Sequence, residues 1–143
     1  MNNNKNEMKL CFTSKSSNEM LARNAIASFL AYLDPPVVWL NELKTAVSEI
    51  VTNSIIHGYE EDDEKEIRIK SGILGNKVFV EIEDDGKGVK MTDEILNGEI
   101  KITSDDKTAG MGFKIVEAFT KNLKVETSKN GGTKVYFEKE FFN

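Results

Sequence analysis

The stretch Thr45-Ala-Val-Ser-Glu-Ile-Val-Thr-Asn-Ser-Ile-Ile-His-Gly-Tyr-Glu60 carries the strongest structural pattern in the chain. Its apolar residues recur at steps of three and four, and the same spacing extends back into the residues before it. This periodicity predicts an amphipathic helix that ends near Ile56, with Gly58 as its C-cap. The predicted apolar stripe consists of Leu40, Leu43, Val47, Ile50 and Ser54.

The polar side of this helix carries residues suited to chemistry. Glu49, Asn53 and His57 follow one another at intervals of four residues. At about 100° per residue they form one column along the helix, away from the apolar stripe. A carboxylate can serve as a general base and an amide oxygen can bind a hard cation, but a solvated helix face shows the same pattern. The column alone leaves both interpretations open.

The residues upstream predict a strand and a further helix. Lys9 to Thr13 is a short β-like run, and Ser16 with Glu19 matches a capping box that begins a helix running to about Leu33. The pair Pro35-Pro36 stops that helix. Its buried stripe is predicted to contain Met20, Ile26, Ala27 and Leu30.

The second half of the chain is predicted to be rich in strands and turns, because nine of the ten glycines lie after residue 70. Strands are expected at 67–69, 78–82, 123–127 and 133–138, with turns at Gly75-Asn76 and 129–132. Helical segments are expected at 92–96 and from Phe113 to Phe119. The pattern predicts a single domain over residues 1–143, an α+β two-layer sandwich with helices on one face of a mixed, mostly antiparallel sheet.

Composition excludes several classes of protein. The 143 residues carry a net charge of −5, and the run 60–66, with six acids and one lysine, accounts for the excess. Only Arg23 and Arg68 are arginines, which argues against an arginine-rich nucleic-acid surface. One cysteine and one histidine cannot build a zinc site, and we expect the cysteine, Cys11, to lie in the core.

The sequence also bears on location. Residues 1–9 lack the apolar region of a secretory signal, and the longest uncharged apolar stretch, Ala25 to Leu33, is too short to cross a bilayer. A single cysteine cannot form an internal disulfide, which fits a reducing compartment. We therefore expect a cytoplasmic domain that contacts neither a membrane nor nucleic acid directly.

Two glycine-containing clusters are candidates for ligand contact. Asp84-Asp85-Gly86-Lys87-Gly88 directly follows a predicted strand, where glycine lets a ligand approach the backbone closely. Gly110-Met111-Gly112-Phe113 is predicted to open a helix, whose N-terminal N–H groups can bind phosphate. An acidic turn and an ordinary helix cap would explain the same residues.

The order of these motifs is more specific than any one of them. Glu-x3-Asn on a helix, Asp-x-Gly-x-Gly after a strand, a loop over 89–109, Gly-x-Gly-Phe and a final Gly-Thr together resemble the GHKL ATPase/kinase superfamily, which has the Bergerat ATP-binding fold. Within it, the stretch Thr45–Glu60 is most similar to the sporulation anti-sigma F factors. The resemblance extends to three further segments and covers about Asn6 to Phe137. These segments are Asn6-Glu-Met-Lys-Leu10 near the start, Ala27-Ser-Phe-Leu-Ala31 and Leu33-Asp-Pro35.

The resemblance implies a role for each matching residue. Glu49 would be the catalytic base, Asn53 would hold Mg²⁺ on ATP, and Asp84 would bind the adenine amino group with support from Thr133. Arg23 would contact protein partners. The remaining residues expected to bind ATP are Gly86, Gly88, Lys101, Thr103, Gly110, Met111, Gly112 and Phe113.

The lid departs from the family pattern. The resemblance makes residues 89–109 an ATP lid, but Thr108 and Ala109 stand where the family often carries a basic residue. Lys101 or Lys107 would then supply the positive charge.

At the level of function, the resemblance implies an anti-sigma factor that is also a serine/threonine protein kinase. It would use ATP and Mg²⁺, sequester the sporulation sigma factor F, and phosphorylate a serine of the anti-anti-sigma factor. A homodimer is expected. The alternatives are a general-stress anti-sigma kinase of the same family and a non-catalytic binding module controlled by ATP or ADP.

Overall fold

A computed structural model describes residues 6–87 and 107–142. The order of the helical elements and strands along the chain fits the prediction. In order they are β1 (Glu7–Thr13), α1 (Asn18–Leu30), a 3-10 turn (Ala31–Leu33), α2 (Val37–Asn53), a π-helical turn (Ser54–Gly58), β2 (Glu66–Leu74), β3 (Lys77–Asp84), α3 (Lys107–Phe119), β4 (Lys121–Thr127) and β5 (Thr133–Glu140).

The five strands form one sheet in the order β1-β2-β3-β5-β4. Every pairing between them is antiparallel. The α+β class with helices on one face is therefore confirmed. The predicted turns at Gly75-Asn76 and at 129–132 are confirmed too, and Gly75 and Gly131 supply the positive φ angles of 64° and 88° that such turns require.

The core lies between the sheet and its helices. Strand alternation places Val78, Val80 and Ile82 of β3 on the covered face, where they are at most 1% exposed. Leu43 and Val47 of α2 are fully buried and pack against this face. No helix among the described residues is both long and apolar enough to cross a membrane.

Two predictions of burial are wrong. Cys11 is exposed, because it lies on the face of β1 that no helix covers. Met20 is 55% exposed on α1. The capping box is wrong as well: Ser17 precedes α1 without a side-chain cap, and the Glu19 carboxylate accepts a hydrogen bond from the Ser48 hydroxyl of α2 instead.

Lys139 joins three elements from its buried place on β5. Its ammonium group lies 3.1 Å from the carboxylate of Glu42 on α2 and donates to the Phe119 carbonyl, at the end of α3, over 2.7 Å. A cation at a helix C-terminus complements the negative end of the helix dipole. Lys139 therefore ties β5 to both helices.

Glu138 is a buried carboxylate on the opposite face of β5. It lies 2.8 Å from the ammonium group of Lys77 and accepts hydrogen bonds of 2.5 Å from Tyr136 and Asn122. These donors lower the pKa of Glu138 to about 2. The same interactions raise the pKa of Tyr136 to about 12, after the larger effect of burial.

Candidate active site

Asp84 is a buried carboxylate at the end of β3, only 2% exposed. It accepts hydrogen bonds from the Ser54 side chain, from the Gly86 N–H at 2.9 Å and from the Thr133 N–H. Burial raises its pKa, and these hydrogen bonds oppose the rise because they favour the ionised form. The structure thus holds a carboxylate at the strand end, where the sequence predicts one.

Three glycines allow the backbone to close around Asp84. A Cβ at Gly86 would lie 2.2 Å from the Gly58 carbonyl oxygen, and one at Gly132 would lie 2.0 Å from the Asp84 carbonyl oxygen. A Cβ at Gly58 would lie 3.1 Å from the Asp84 carboxylate. Gly58 therefore serves close approach inside the π-helical turn, and its predicted role as a C-cap is wrong. The positive φ angles after the turn belong to Glu60 and Glu61.

Glu49 and Asn53 lie one turn apart on α2 and both face α3. A Cβ at Gly112 would be 3.1 Å from Glu49 Oε2 and 3.1 Å from Asn53 Nδ2. The Asn53 Nδ2 atom is buried and has no hydrogen-bond partner among the residues that the structure describes. A buried donor without a partner is uncommon, which marks this end of the Asn53 side chain as available to a ligand.

The third helix begins earlier than predicted. It starts at Lys107 rather than at Phe113, so Gly110 and Gly112 lie inside α3 and not at its start. Only the first four N–H groups of a helix lack an acceptor within it. The N-cap residue carries one of these four groups, so by position the N–H groups of both Gly110 and Gly112 lie beyond them. The idea that both glycines mark the helix start is therefore wrong.

Several predicted residues cannot be compared with the structure. Gly88, Lys101, Thr103, the helical segment at 92–96 and the greater part of the 89–109 lid lie outside the described residues, as does the side chain of Met111. Phe113, in contrast, is described and is only 4% exposed.

A narrow pocket connects the two halves of the site. It has a cavity volume of about 10 Å³, close to that of one water molecule, and it is lined by residues that include Ile50, Asn53, Ser54, Asp84, Phe113 and Thr133. A wider hollow lies on the uncovered face of the sheet, but Glu49, Asn53 and Asp84 do not line it. The chemistry of the side chains therefore points to the narrow pocket.

His57 and Arg23 lie apart from this pocket. His57 belongs to the π-helical turn, beyond the regular helix on which the polar column was predicted. Arg23 Nε is 3.0 Å from Glu19 Oε1, yet it makes no hydrogen bond among the described residues, so the contact is an ion pair. Arg23 and Glu19 line a groove of about 790 Å³ between α1 and α2, together with Asn41, Lys44, Thr45 and Ser48.

The fold is that of a kinase-like ATPase domain. Residues 12–139 match the family model described as "Histidine kinase-like ATPase domain", and a domain of this family binds a nucleotide. An RsbU–RsbW crystal structure from Mycobacterium tuberculosis has the same fold, with a TM-score of 0.67 and 16% identity over 94% of this chain and 32% of that chain.

Curated relatives narrow the class further. An anti-sigma F factor of Clostridium botulinum (strain Eklund 17B) is 44% identical over 136 residues, which cover 95% of each chain. Those of Clostridium beijerinckii and of Clostridium perfringens (strain SM101) are 43% identical over 136 residues and 40% over 135, with 94–96% of each chain covered. The chain belongs to the anti-sigma F factor family.

Sequence reasoning missed several residues around the site. Ser54 was assigned to the apolar stripe, yet its side chain hydrogen-bonds Asp84. Gly132 belongs to the final Gly-Thr motif and to a predicted turn, but the sequence gives no sign that its lack of a side chain lets β5 approach Asp84. Tyr59, Arg68 and Asn130, which all contact Asp85, showed no signal, because they come from three separate segments.

Proposed function

We propose that the chain is an anti-sigma factor and a serine/threonine protein kinase. It holds the sporulation sigma factor F inactive and phosphorylates a serine of the anti-anti-sigma factor with Mg-ATP. The observation that carries this proposal is the contact of Glu49 and Asn53 with α3 at Gly112, beside the pocket that contains Asp84. A general base, an uncommitted amide and a carboxylate for nucleobase recognition are then grouped around one pocket.

The chemistry follows from what each side chain can do. Glu49 accepts the proton of the attacking serine hydroxyl, as a positioned carboxylate does in general base catalysis. Asn53 would hold Mg²⁺ through its amide oxygen, and the ion, when bound, would neutralise charge on the phosphate oxygens. Asp84 accepts a hydrogen bond from the adenine amino group, and the glycines around it keep the backbone close.

The partner surface is the groove between α1 and α2. Arg23 is half-buried there, and its ion pair with Glu19 holds the guanidinium against the groove wall. Ser48, which hydrogen-bonds Glu19, directly precedes Glu49 on α2. A homodimer and a cytoplasmic location belong to the same proposal.

The test is a phosphotransfer assay. Labelled ATP, Mg²⁺ and a purified anti-anti-sigma protein are mixed with the wild type, with Glu49→Gln and with Glu117→Gln, an exposed glutamate of α3 that serves as control. We expect label on a partner serine, a loss of at least about a hundredfold in Glu49→Gln with ADP affinity retained, and a normal rate in the control. Asn53→Ala should weaken both transfer and nucleotide binding.

The alternatives predict different outcomes. A non-catalytic module would bind ATP and sigma factor F without labelling any partner. A general-stress kinase would label its partner but would not retain sigma factor F on a column. Transfer by Glu49→Gln at the normal rate would rule out the assignment of the base.

A further inference from the structure

The end of β3 carries three consecutive acids that have different environments. Asp84 lies in the pocket, whereas Glu83 is directly opposite Arg68 of β2 in the sheet register. The Arg68 guanidinium donates to both carboxylate oxygens of Asp85, over 2.9 Å and 2.8 Å. It also lies 3.5 Å from the Glu83 carboxylate. The guanidinium also lies 3.5 Å from the Glu66 carboxylate, so one arginine contacts both acids that flank Asp84 and a third on its own strand.

Asp85 is held by two further segments of the chain. Its N–H donates to the Tyr59 hydroxyl over 2.7 Å, and that hydroxyl donates to the Glu66 carbonyl over 2.5 Å. Asn130, in the turn between β4 and β5, donates to the Asp85 carboxylate over 3.3 Å. Because Tyr59 and Asn130 also hold Asp85, removing the charge of Arg68 leaves the turn supported.

The charge of Asp85 affects the pKa of its neighbour in sequence, Asp84. The Asp85 carboxylate raises the pKa of Asp84, in addition to the larger effect of burial. Arg68 lowers the pKa of Asp85 and keeps it ionised, but its own positive charge offsets that of Asp85. The groups from other elements around Asp84 are Ser54 and Tyr59 of the α2–β2 segment, Ile67 and Arg68 of β2, Phe113 of α3 and Thr133 of β5.

We propose that Arg68 is a positioning residue for nucleobase recognition: by pairing with Asp85 on the uncovered face of the sheet, it keeps Asp84 ionised in the pocket. The inference rests on the proposed function, because it assumes that Asp84 binds the adenine amino group. It adds a specific residue, outside the pocket, that determines the pH range over which the base is recognised.

The test measures the affinity for adenosine by calorimetry across the acidic and neutral pH range. Adenosine carries no phosphate, so no ligand phosphate titrates in this range. We expect the affinity of the wild type to fall as Asp84 becomes protonated at low pH. In Arg68→Gln the midpoint of this loss should move upward by about half a pH unit or more, with affinity at the alkaline end within about twofold of the wild type.

Three variants serve as controls. Lys70→Gln removes a cation from the same strand and face, two residues further along, and should leave the midpoint unchanged. His57→Gln, which removes the one imidazole of the sequence, should also leave the midpoint unchanged. In Arg68→Gln/Asp85→Asn the midpoint should return towards the wild-type value, because the unbalanced charge is gone.

The outcomes separate this inference from the proposed function. A wild type that binds neither adenosine nor ADP refutes the proposed function. Adenosine binding with the same midpoint in wild type and Arg68→Gln, or an equal loss at every pH, overturns only the role of Arg68. If Arg68→Gln does not fold, Asp85→Asn is measured instead. Removing the Asp85 charge should lower the midpoint of the affinity loss relative to the wild type, and a higher midpoint would contradict the inference.

Discussion

Gly86→Ala tests whether the pocket depends on the close approach of β3 to the π-helical turn. A Cβ at Gly86 would lie 2.2 Å from the Gly58 carbonyl oxygen and 2.4 Å from its carbon. Both are backbone atoms, so no side chain can turn away to make room. Ordinary van der Waals contact begins at 3.4 Å, and the two segments would have to separate by about 1.2 Å, the difference between 3.4 and 2.2.

That separation breaks two hydrogen bonds. The Lys87 N–H donates to the Gly58 carbonyl over 2.9 Å, and the Gly86 N–H donates to the Asp84 carboxylate over 2.9 Å. The first contributes about 1 kcal/mol and the second, which has an ionised acceptor, about 1.5–3 kcal/mol. We therefore expect a loss of about 2–4 kcal/mol in the free energy of unfolding. A domain of ordinary stability, about 5–15 kcal/mol, would remain folded.

The assay is urea unfolding followed by far-ultraviolet circular dichroism, with and without ADP. Gly86→Ala should unfold at lower urea and should lose the stabilisation that ADP gives to the wild type. Gly72→Ala is the control, because its Cβ would meet the ring of Phe79 at 2.7 Å, a side chain that can move. If Gly86→Ala lies within about 1 kcal/mol of the wild type and is equally stabilised by ADP, the steric argument is refuted.

Three further changes have defined outcomes. Lys139→Met should lower the free energy of unfolding by about 1–3 kcal/mol in urea, because the Phe119 carbonyl loses a buried charged donor. Glu138→Gln should be less stable than the wild type at neutral pH, and thermal unfolding should show the difference shrinking as pH falls from 4.5 towards about 2, where the wild-type carboxylate becomes protonated. Gly112→Ala should keep or gain stability, since alanine favours a helix by about 1 kcal/mol, but should slow phosphotransfer by about tenfold or more, because its Cβ displaces Glu49.

Each change has a matched comparison. Lys121→Met removes an exposed ion pair with Glu140 and should cost much less than Lys139→Met. A constant difference between Glu138→Gln and the wild type across the acidic range would contradict the lowered pKa. Gly112→Ala with normal phosphotransfer would show that α3 does not press on the catalytic base.

The regular part of the fold is predictable because it follows from local periodicity. The apolar spacing before Asn53 gives α2, and the alternation at 78–82 gives β3. The π-helical turn from Ser54 to Gly58 could not be predicted, because it depends on the contact of Gly58 with Asp84, a residue 26 positions away. Cys11 was misplaced for a related reason: alternation separates the faces of a strand but does not say which face the helices cover.

The early start of α3 has a different cause. Glycine is a poor helix former, by about 1 kcal/mol relative to alanine, and local propensity therefore favours a helix that begins after Gly112. In the structure the helix includes both glycines, and Gly112 packs against Glu49 and Asn53. Contact with α2 thus outweighs propensity, and it does so at the place where a larger residue would reach Glu49, the proposed catalytic base.

The acids at the end of β3 show how the sheet places a carboxylate for ligand contact on one face and an ion-paired carboxylate on the other. Asp84 and Asp85 are identical neighbours in sequence, yet burial raises the pKa of the first and Arg68 lowers the pKa of the second. Successive side chains of a strand point to opposite faces, so one peptide unit carries the chain from the covered face to the open one. An ionised carboxylate can accept a hydrogen bond from the amino group of a nucleobase, and a cation beside it in the pocket would compete for it. Placing Arg68 behind the sheet balances the charge without bringing a competing donor into the pocket.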